Sequence, residues 1–368
     1  MRSLLLLVAV LSLAPDAFAR SRSVGHRTLP WHAPQCTEVS ELGWFRFVDA
    51  GGEVRKGVDP VLVWREPVLT TEALELGAGP NVLWVTTSDG AIRQSMDAGC
   101  TWSVKATVPE ILADLFEPRI LARHAEHVYV YTVPHISSFA PVDSYLQSDQ
   151  AMLIRLSYNA VATFPFPEHV LDLAVDPTNS LRLLAVGFTG ALYDSSDGGA
   201  SWQQRATGSF GPLNTARIDP SNLNRIAVAP RSGGLRLTTN GGGTISEPPA
   251  QLATTIVSDI FFSPADPNVI WTDGYDQVKH DSGLQRSNDG GRTFVLELTN
   301  ATAVYVTGGI FAAHPRDANT YAIPVMNAPG LLVVDRGVQT KFGYDQVKKV
   351  LWSPSGTLYY LVQVITSR

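Results

Sequence analysis

Short apolar runs broken by turn-forming residues recur along most of the chain. Proline turns precede several of these runs, at Asp176-Pro177, Asp219-Pro220, Asp266-Pro267, His314-Pro315 and Ser353-Pro354. Runs of β-branched, aromatic and leucine residues between glycine, proline and aspartate are typical of antiparallel strands. The predicted strands after the proline turns cover residues 181–186, 225–228, 268–271, 320–324 and 357–361. The pattern predicts an all-β protein.

A second pattern follows the proline turns at a nearly constant distance. Ser195 lies 18 residues after Pro177, and Thr238 lies 18 residues after Pro220. The pattern reads Ser/Thr-x-Asp/Asn-x-Gly-x-Thr/Ser, followed by an aromatic or apolar residue. Its acid or amide can accept backbone N–H groups, and its glycine supplies a positive φ. The residues assigned to these structural box turns are Ser95, Asp97, Gly99, Trp102, Ser195, Asp197, Gly199, Trp202, Asn240, Gly242, Ser287, Asp289, Gly291 and Phe294.

Weaker copies of the box turn occur near Phe47, Ser157 and Val333, which brings the count of repeats to seven. The last repeat lacks outer strands, and residues 44–52 read as a strand that ends in a similar turn. A fixed repeat of strands and turns indicates a propeller, which closes its ring to remove exposed edges. We therefore predict a seven-bladed β-propeller of four-stranded antiparallel blades, closed by N-terminal strands that complete the C-terminal blade. Six or eight blades remain as alternatives.

The box turns resemble the BNR/Asp-box repeats of the sialidase-type and sortilin-type propeller superfamily. The resemblance covers nearly the whole chain after its N-terminus. It implies that the box turns join the third and fourth strands of a blade and face away from the ligand. Their side chains would then be structural. The resemblance does not imply one activity, because such repeats occur in sialidases, other glycosidases, sorting receptors and photosystem-assembly factors.

The first residues predict export. A positive Met1-Arg2 pair precedes an apolar stretch at residues 4–13, and Ala17-Phe18-Ala19 matches a cleavage site. These features are typical of a secretory signal peptide. We predict a signal peptide at residues 1–19, an N-terminal extension at 20–41 and a single propeller domain at 42–368. The protein would be secreted or periplasmic.

The charge of the chain excludes some classes of partner, and its two cysteines suggest a disulfide. The net charge of -6, without a basic run, argues against binding to nucleic acid or anionic membranes. No later apolar run reaches the roughly 20 residues of a membrane span. Cys36 and Cys100 are a candidate disulfide in an exported chain, and two independent thiols are the alternative. We expect a monomer without cofactor.

Two segments are predicted to form long loops opposite the box turns, where function is expected. Residues 134–150 carry His135, Asp143, Tyr145 and Asp149. Residues 272–283 carry the main ligand candidates, which are Tyr275, Asp276, Lys279, His280 and Asp281.

A repeated hexapeptide adds three more candidates. The sequence Gly-Tyr-Asp-Gln-Val-Lys begins at Gly274 and again at Gly343, so Tyr344, Asp345 and Lys348 match residues of the first copy. The second copy is predicted to connect two blades on the same face. Coincidence between two turn sequences explains the repeat most simply, and a duplicated recognition element is the alternative.

Catalytic and metal-binding patterns are weak. The arginine triad, the Tyr-Glu pair and the Phe/Tyr-Arg-Ile-Pro motif of sialidases cannot be assigned to residues of this chain. In a strand, His124 and His127 would point to opposite faces, which argues against a metal site. The sequence therefore favours a non-enzymatic binding or assembly propeller that recognises a protein or a glycan. A divergent glycoside hydrolase is the alternative, with Asp276 and Asp281 as its carboxylate pair.

Overall fold

The computed structural model describes fourteen separate parts of the chain. They are residues 5–11, 47–48, 71–79, 82–87, 89–97, 101–108, 116–134, 152–157, 160–205, 210–299, 311–325, 330–343, 346–352 and 358–364. Cys36, Gly99, Cys100, Tyr344 and Asp345 lie outside these parts, as does the segment that holds His135, Asp143, Tyr145 and Asp149.

The described parts consist almost entirely of β-strands, with one short 3₁₀ helix at Ala250–Leu252. The strands of the first half are β1 (Leu5–Leu11), β2 (Phe47–Val48), β3 (Thr71–Leu76), β4 (Leu83–Thr87), β5 (Ala91–Ser95), β6 (Ser103–Thr107), β7 (Phe116–Leu121), β8 (Val128–Pro134), β9 (Met152–Ser157), β10 (Ala160–Pro165), β11 (Val170–Asp176), β12 (Asn179–Gly187), β13 (Leu192–Ser195) and β14 (Gln203–Gln204). Those of the second half are β15 (Leu213–Asp219), β16 (Asn222–Pro230), β17 (Arg236–Thr238), β18 (Thr255–Phe262), β19 (Ile270–Asp276), β20 (Asp281–Ser287), β21 (Val295–Thr299), β22 (Ala312–Ala313), β23 (Thr320–Val325), β24 (Gly330–Asp335), β25 (Val338–Gly343), β26 (Gln346–Trp352) and β27 (Leu358–Val364).

Within the described ranges these strands form six four-stranded sheets and one three-stranded sheet. In six sheets, hydrogen-bonded neighbours follow chain order: β3 to β6, β7 to β10, β11 to β14, β15 to β17, β18 to β21 and β22 to β25. All pairs in these six sheets are antiparallel. The all-β prediction is confirmed.

The predicted turns fall where the strand order requires them. The proline turns at Pro177, Pro220, Pro267 and Pro315 join the first and second strands of their sheets. The weak box copy at Val333 has become a tight turn of Arg336 and Gly337, which both have a positive φ and connect β24 to β25. That pair of left-handed residues matches the twist of a hairpin.

The seventh sheet joins the two ends of the chain in the order β2-β1-β27-β26. Strand β1 pairs antiparallel with β27 along seven residues, from Leu5 opposite Val364 to Leu11 opposite Leu358. Strand β2 comes from the predicted segment 44–52, but it reaches this sheet through a parallel pairing with β1 and does not contact β27 as a neighbour. Strand β1 lies inside the predicted signal peptide.

Successive sheets pack face to face through apolar side chains. Leu184 and Val186 of β12 share a core with Ile226 and Val228 of β16, and all four are fully buried. Each such side chain contributes roughly 1.5–3 kcal/mol of hydrophobic stabilisation relative to exposure. Strand β15 contacts both β11 and β18, and β26 contacts both β23 and β3. Among the described strands, no sheet closes on itself into a barrel. Separate sheets packed face to face fit a β-propeller.

In the parts of the chain that the structure describes, we find no helix with the length and apolar character needed to cross a membrane.

Candidate functional site

The strand order gives every sheet two distinct ends. Because neighbouring strands are antiparallel, the turns from first to second strand and from third to fourth strand share one end, which we call the box end. The turns from second to third strand and the connections between sheets share the other, which we call the hairpin end. Hydrogen bonds join equivalent ends of neighbouring sheets. At the box end, Arg155 donates to the carbonyl of Asp197 at 2.5 Å, and at the hairpin end Gly234 donates to the carbonyl of Thr255 at 2.8 Å.

The four box turns lie at the ends of β5, β13, β17 and β20. In all four, one side-chain oxygen of the acid or amide accepts the hydroxyl two residues earlier and the N–H four residues later. In the turn after β20, Asp289 Oδ1 accepts the Ser287 hydroxyl at 2.8 Å and the Thr293 N–H at 2.9 Å. Its Oδ2 accepts the Thr293 hydroxyl at 2.6 Å, and the Gly291 N–H donates to the Ser287 hydroxyl at 2.8 Å. These bonds satisfy the turn from within and leave little of the carboxylate for a ligand.

The box carboxylates add an acid-sensitive contribution to stability. Burial opposes ionisation of Asp197, but hydrogen bonds from Ser201 and Ser195 lower its pKa to about 2. An aspartate in an unfolded chain has a pKa of about 4. The stabilisation from this lowered pKa is therefore present above about pH 4 and is lost as the pH falls toward 2.

The box turn at Asn240 uses an amide where the other three use a carboxylate. Its Oδ1 accepts the Thr244 N–H at 2.9 Å, but its Nδ2 donates to the Thr244 hydroxyl at 3.1 Å. We predict that Asn240→Asp raises the free energy of unfolding by about 0.5–1 kcal/mol, because the Thr244 hydroxyl would then donate to a charged acceptor. Urea unfolding at pH 7 measures this change. A loss of stability would contradict the prediction, and Asn240→Ala, which removes both contacts and should lower the free energy of unfolding, is the comparison.

At three of the box turns the large residue that ends the turn packs between two sheets, and these residues are Trp202, Ile245 and Phe294. Trp202 lies against Phe166 with ring centres 5.2 Å apart. Phe294 is buried among side chains of the preceding sheet, including Leu235 and Leu237. The box turns are therefore joined to the core between sheets.

The main ligand candidates lie on a β-hairpin, and the prediction of a long loop at residues 272–283 is wrong. Strands β19 and β20 pair over seven residues, up to Asp276 opposite Asp281, and only residues 277–280 form the turn. Pairing between the two strands satisfies the backbone N–H and C=O groups along most of the segment, and these groups would be unpaired in a loop. We call residues 275–280 the hairpin tip.

Side chains on the hairpin tip differ in what they leave accessible. Tyr275 is 41% exposed and Val278 is 69% exposed. The Tyr275 hydroxyl lies 2.9 Å from Nδ1 of His280, whose backbone adopts a left-handed φ of 54°. Tyrosine and valine side chains held in this way form a small amphipathic surface with little freedom left to lose on binding.

Asp276 fixes the hairpin tip from inside. Its Oδ1 accepts the N–H groups of Val278 and Lys279 at 2.9 and 3.0 Å and the hydroxyl of Thr254 at 3.0 Å. Its Oδ2 lies 3.1 Å from the Lys279 ammonium. The backbone hydrogen bond from Lys279 contributes most to holding the pKa of Asp276 well below its usual range. The predicted ligand carboxylate is therefore a component of the turn.

The other candidates are placed only in part. Asp281 is exposed, and its Oδ1 accepts the N–H of its neighbour Ser282 at 2.8 Å. Lys348 lies in β26, directly after the connection from β25, which is the position predicted for the second hexapeptide. Its partners Tyr344 and Asp345 lie outside the described residues.

A group of charged side chains on the inner strands was not predicted from the sequence. Arg217 of β15 contacts Asp259 of β18 at 2.7 Å and Asp172 of β11 at 3.8 Å. The three side chains are at least 85% buried, and they join three consecutive sheets. We call Asp172, Arg217 and Asp259 the axial cluster. The signal for it was a charged residue inside an otherwise buried strand, as in Val-Leu-Asp-Leu-Ala-Val at β11.

Two cavities among the described residues lie at the box end. A groove of about 710 Å³ runs between the sheets of β17 and β20 and is lined by Leu237, Ile245, Pro248 and Asp289. A smaller cavity of about 350 Å³ lies beside β13 and is lined by Arg182, Asp194 and Arg205. Within the described residues, no group of three or more histidine, cysteine, aspartate or glutamate side chains could hold a metal ion.

His124 and His127, which the sequence did not favour as metal ligands, make polar contacts with the neighbouring sheet. His124 Nε2 lies 2.8 Å from the carbonyl oxygen of Asp176, and His127 Nδ1 lies 2.9 Å from the Ser180 hydroxyl. These contacts join the sheet of β7 and β8 to the next one.

Comparison with known proteins supports the fold and gives one relative by sequence. No family model matches the chain. The dispase autolysis-inducing protein of Streptomyces mobaraensis is 28% identical in an alignment of 327 residues, and the alignment covers 79% of this chain and 76% of that protein.

Solved structures give the same architecture at low sequence identity. A GH74 enzyme of Niastella koreensis matches with a TM-score of 0.55 and 13% identity, over 79% of this chain and 51% of the enzyme, so the chain spans about half of its length. YCF48 of Cyanidioschyzon merolae matches with a TM-score of 0.54 and 13% identity, over 79% of this chain and 95% of that chain. A YCF48 bound to a D1 peptide gives a TM-score of 0.54 at 15% identity, over 79% and 93% of the two chains. These likenesses, together with the sheets described above, show that the chain has a β-propeller fold.

Proposed function

We propose that this protein is an exported, non-enzymatic propeller that binds a protein partner through its hairpin end. In this proposal the ring has seven blades, and N-terminal strands complete the C-terminal blade. The contacts of β26 with β3, which bring the last sheet beside the first, support the ring. The box turns serve as structural joints at the opposite end.

The hairpin tip carries the proposal. It presents Tyr275 and Val278 to solvent on a turn that Asp276 and its four polar contacts hold in place. Tyrosine is among the residues that dominate protein interfaces, and a surface already fixed in shape loses little entropy on binding. An exposed turn that is fixed in shape suits a protein surface better than it suits a small molecule, which needs a concave pocket.

The carboxylates argue against glycoside hydrolysis. An acid–base pair needs one carboxyl group with a raised pKa and access to the substrate. Asp276 has a lowered pKa and is almost fully buried, so it is poorly suited to the role of general acid. In the axial cluster, Arg217 lies between the two carboxylates and would have to be displaced by a substrate. The likeness to a GH74 enzyme supports the fold alone.

The relative by sequence supports a protein partner. Its name describes a protein that induces the autolysis of dispase. We extend to this chain only the general part of that name, an effect on another protein, and we propose that binding produces it. Dispase is accordingly the first purified protein to test as a partner.

Export predicts a defined mature N-terminus. Cleavage after Ala19 should give a secreted chain that begins at Arg20, which N-terminal sequencing of the protein from culture fluid would detect. The same cleavage would remove β1 from its place beside β27. A secreted chain that still begins at Met1 would contradict the predicted signal peptide.

Binding can be tested with variants at the two ends of the propeller. The variant Tyr275→Ala/Val278→Ser removes the exposed side chains of the hairpin tip. Val338→Ser is the matched control, because Val338 is 66% exposed beside the tight turn of Arg336 and Gly337 at the box end. Each protein would be immobilised and used to capture partners from culture fluid, and affinity would then be measured with the purified partner.

We expect the wild type and the control to bind the same protein, and the tip variant to bind it at least about tenfold more weakly. Equal binding by all three proteins would refute the role of the hairpin end. Hydrolysis of any substrate in a panel of chromogenic glycosides would refute the non-enzymatic assignment. Thermal unfolding of all three proteins would establish that the substitutions leave the fold intact.

A further inference from the structure

Asp172 is the least compensated carboxylate of the axial cluster. Arg217 lies 2.7 Å from Asp259 but 3.8 Å from Asp172, and its other hydrogen bond goes to the carbonyl of Ala216. Among the described residues, Asp172 Oδ2 accepts the Ile218 N–H at 2.7 Å. The residue is only 8% exposed. A buried carboxylate with so little compensation favours its neutral form.

Other groups that face Asp172 do not change this balance. Arg119 of β7 attracts the charged form, as Arg217 does, whereas Asp259 opposes it. Tyr131 of β8 stays neutral, because burial raises its pKa to about 12. Arg119 and Tyr131 come from the preceding sheet, and Arg217 and Asp259 come from the two sheets that follow.

We propose that acidification protonates Asp172 and thereby strengthens the junction of β11, β15 and β18. Once Asp172 is protonated and neutral, Arg217 keeps its ion pair with Asp259 alone. Asp172 can still accept the hydrogen bond from the Ile218 N–H. Protonation of the axial cluster would then stabilise the contact between three consecutive sheets. We refer to this effect as the latch, and it makes the junction more stable in acid than at neutral pH.

The direction of the pH effect follows from linkage. Burial raises the pKa of Asp172 above its usual value, so the folded chain binds this proton more tightly than the unfolded chain. The contribution of Asp172 to stability therefore increases as the pH falls from neutral toward about 4, the pKa in an unfolded chain. Burial lowers the pKa of His127 and of His314, so these two residues act in the opposite direction. A variant of Asp172 separates the contributions.

The experiment compares urea midpoints of the wild type and Asp172→Asn between pH 7 and pH 5. Asparagine resembles the protonated acid in shape and charge, so the variant should have the higher midpoint at pH 7. The gap should close toward pH 5 as the wild type takes up its proton. Asp194→Asn is the control, since Asp194 pairs with Arg205 outside the axial cluster and its gap from the wild type should not close in the same way.

A gap that stays constant, or that widens toward pH 5, would overturn the proposal. If Asp172→Asn does not fold, carbon NMR of the Asp172 carboxyl group in the wild type decides the question. A titration midpoint above about 4 supports the latch, and a midpoint at or below about 4 refutes it.

Discussion

Replacing Arg217 with methionine should destabilise the protein by about 3–5 kcal/mol at pH 7, because it leaves the buried carboxylates of Asp172 and Asp259 without their shared cation. The loss should shrink as the pH falls, since protonation of Asp172 then removes one of the two stranded charges. Urea unfolding at pH 7 and pH 5 measures both effects.

The same substitution at an exposed ion pair provides the comparison. Arg336 pairs with Asp317 at 2.9 Å, but its side chain is 69% exposed. Arg336→Met should therefore cost no more than about 1 kcal/mol. Similar losses for the two variants would mean that burial does not govern the energy of the axial cluster.

Gly291→Ala should be the second large effect, with a loss of about 2–5 kcal/mol. Gly291 has a φ of 93°, a conformation that costs an L-residue about 1–2 kcal/mol. A Cβ atom there would also collide with Leu237 Cδ1 of the preceding sheet, and overpacking adds about 1–3 kcal/mol. Gly199 faces Leu153 in the equivalent way, so the effect belongs to the repeat.

Gly290→Ala separates the two contributions. Gly290 has a φ of 77°, but the nearest atom to an added Cβ is Asn268 Oδ1 at 3.8 Å. This variant should show only the conformational cost of about 1–2 kcal/mol. Equal losses at the two glycines in urea unfolding would contradict the close packing of the box turn against the neighbouring sheet.

The turns were predictable from the sequence because their interactions are local. Ser195, Asp197 and Ser201 satisfy each other within seven residues, so the pattern carries the geometry with it. Proline fixes its own φ in the same local way. These two markers were sufficient to order the strands within most sheets.

Residues 272–283 show where local signals mislead. Gly274, Asp276 and Ser282 are typical of turns, but in the structure all three lie in paired strands. Gly274 fits because an added Cβ would lie 2.6 Å from the carbonyl of Ile256 on the neighbouring strand. The close approach of another strand therefore selects glycine here, and that information lies outside the segment.

The axial cluster could not be assembled from the sequence for a related reason. A strand period tells which residues share a face, but not which faces of separate sheets meet. Asp172, Arg217 and Asp259 come within reach only because their three inner strands stand next to one another. The sequence shows the three charged residues, but it does not show that they lie close together in the fold.

The amide in the box turn at Asn240 also bears on the chemical ageing of the protein. Asn240 precedes Gly241, and such pairs deamidate when the glycine nitrogen is free to attack the side chain. In the folded chain the Gly241 N–H is bound to the carbonyl of Asn224 at 2.8 Å, and Thr244 holds the amide. Deamidation should therefore proceed mainly from unfolded molecules. Isoaspartate adds one carbon atom to the backbone of this turn. The amount of isoaspartate in a stored sample would therefore record how often the chain has unfolded.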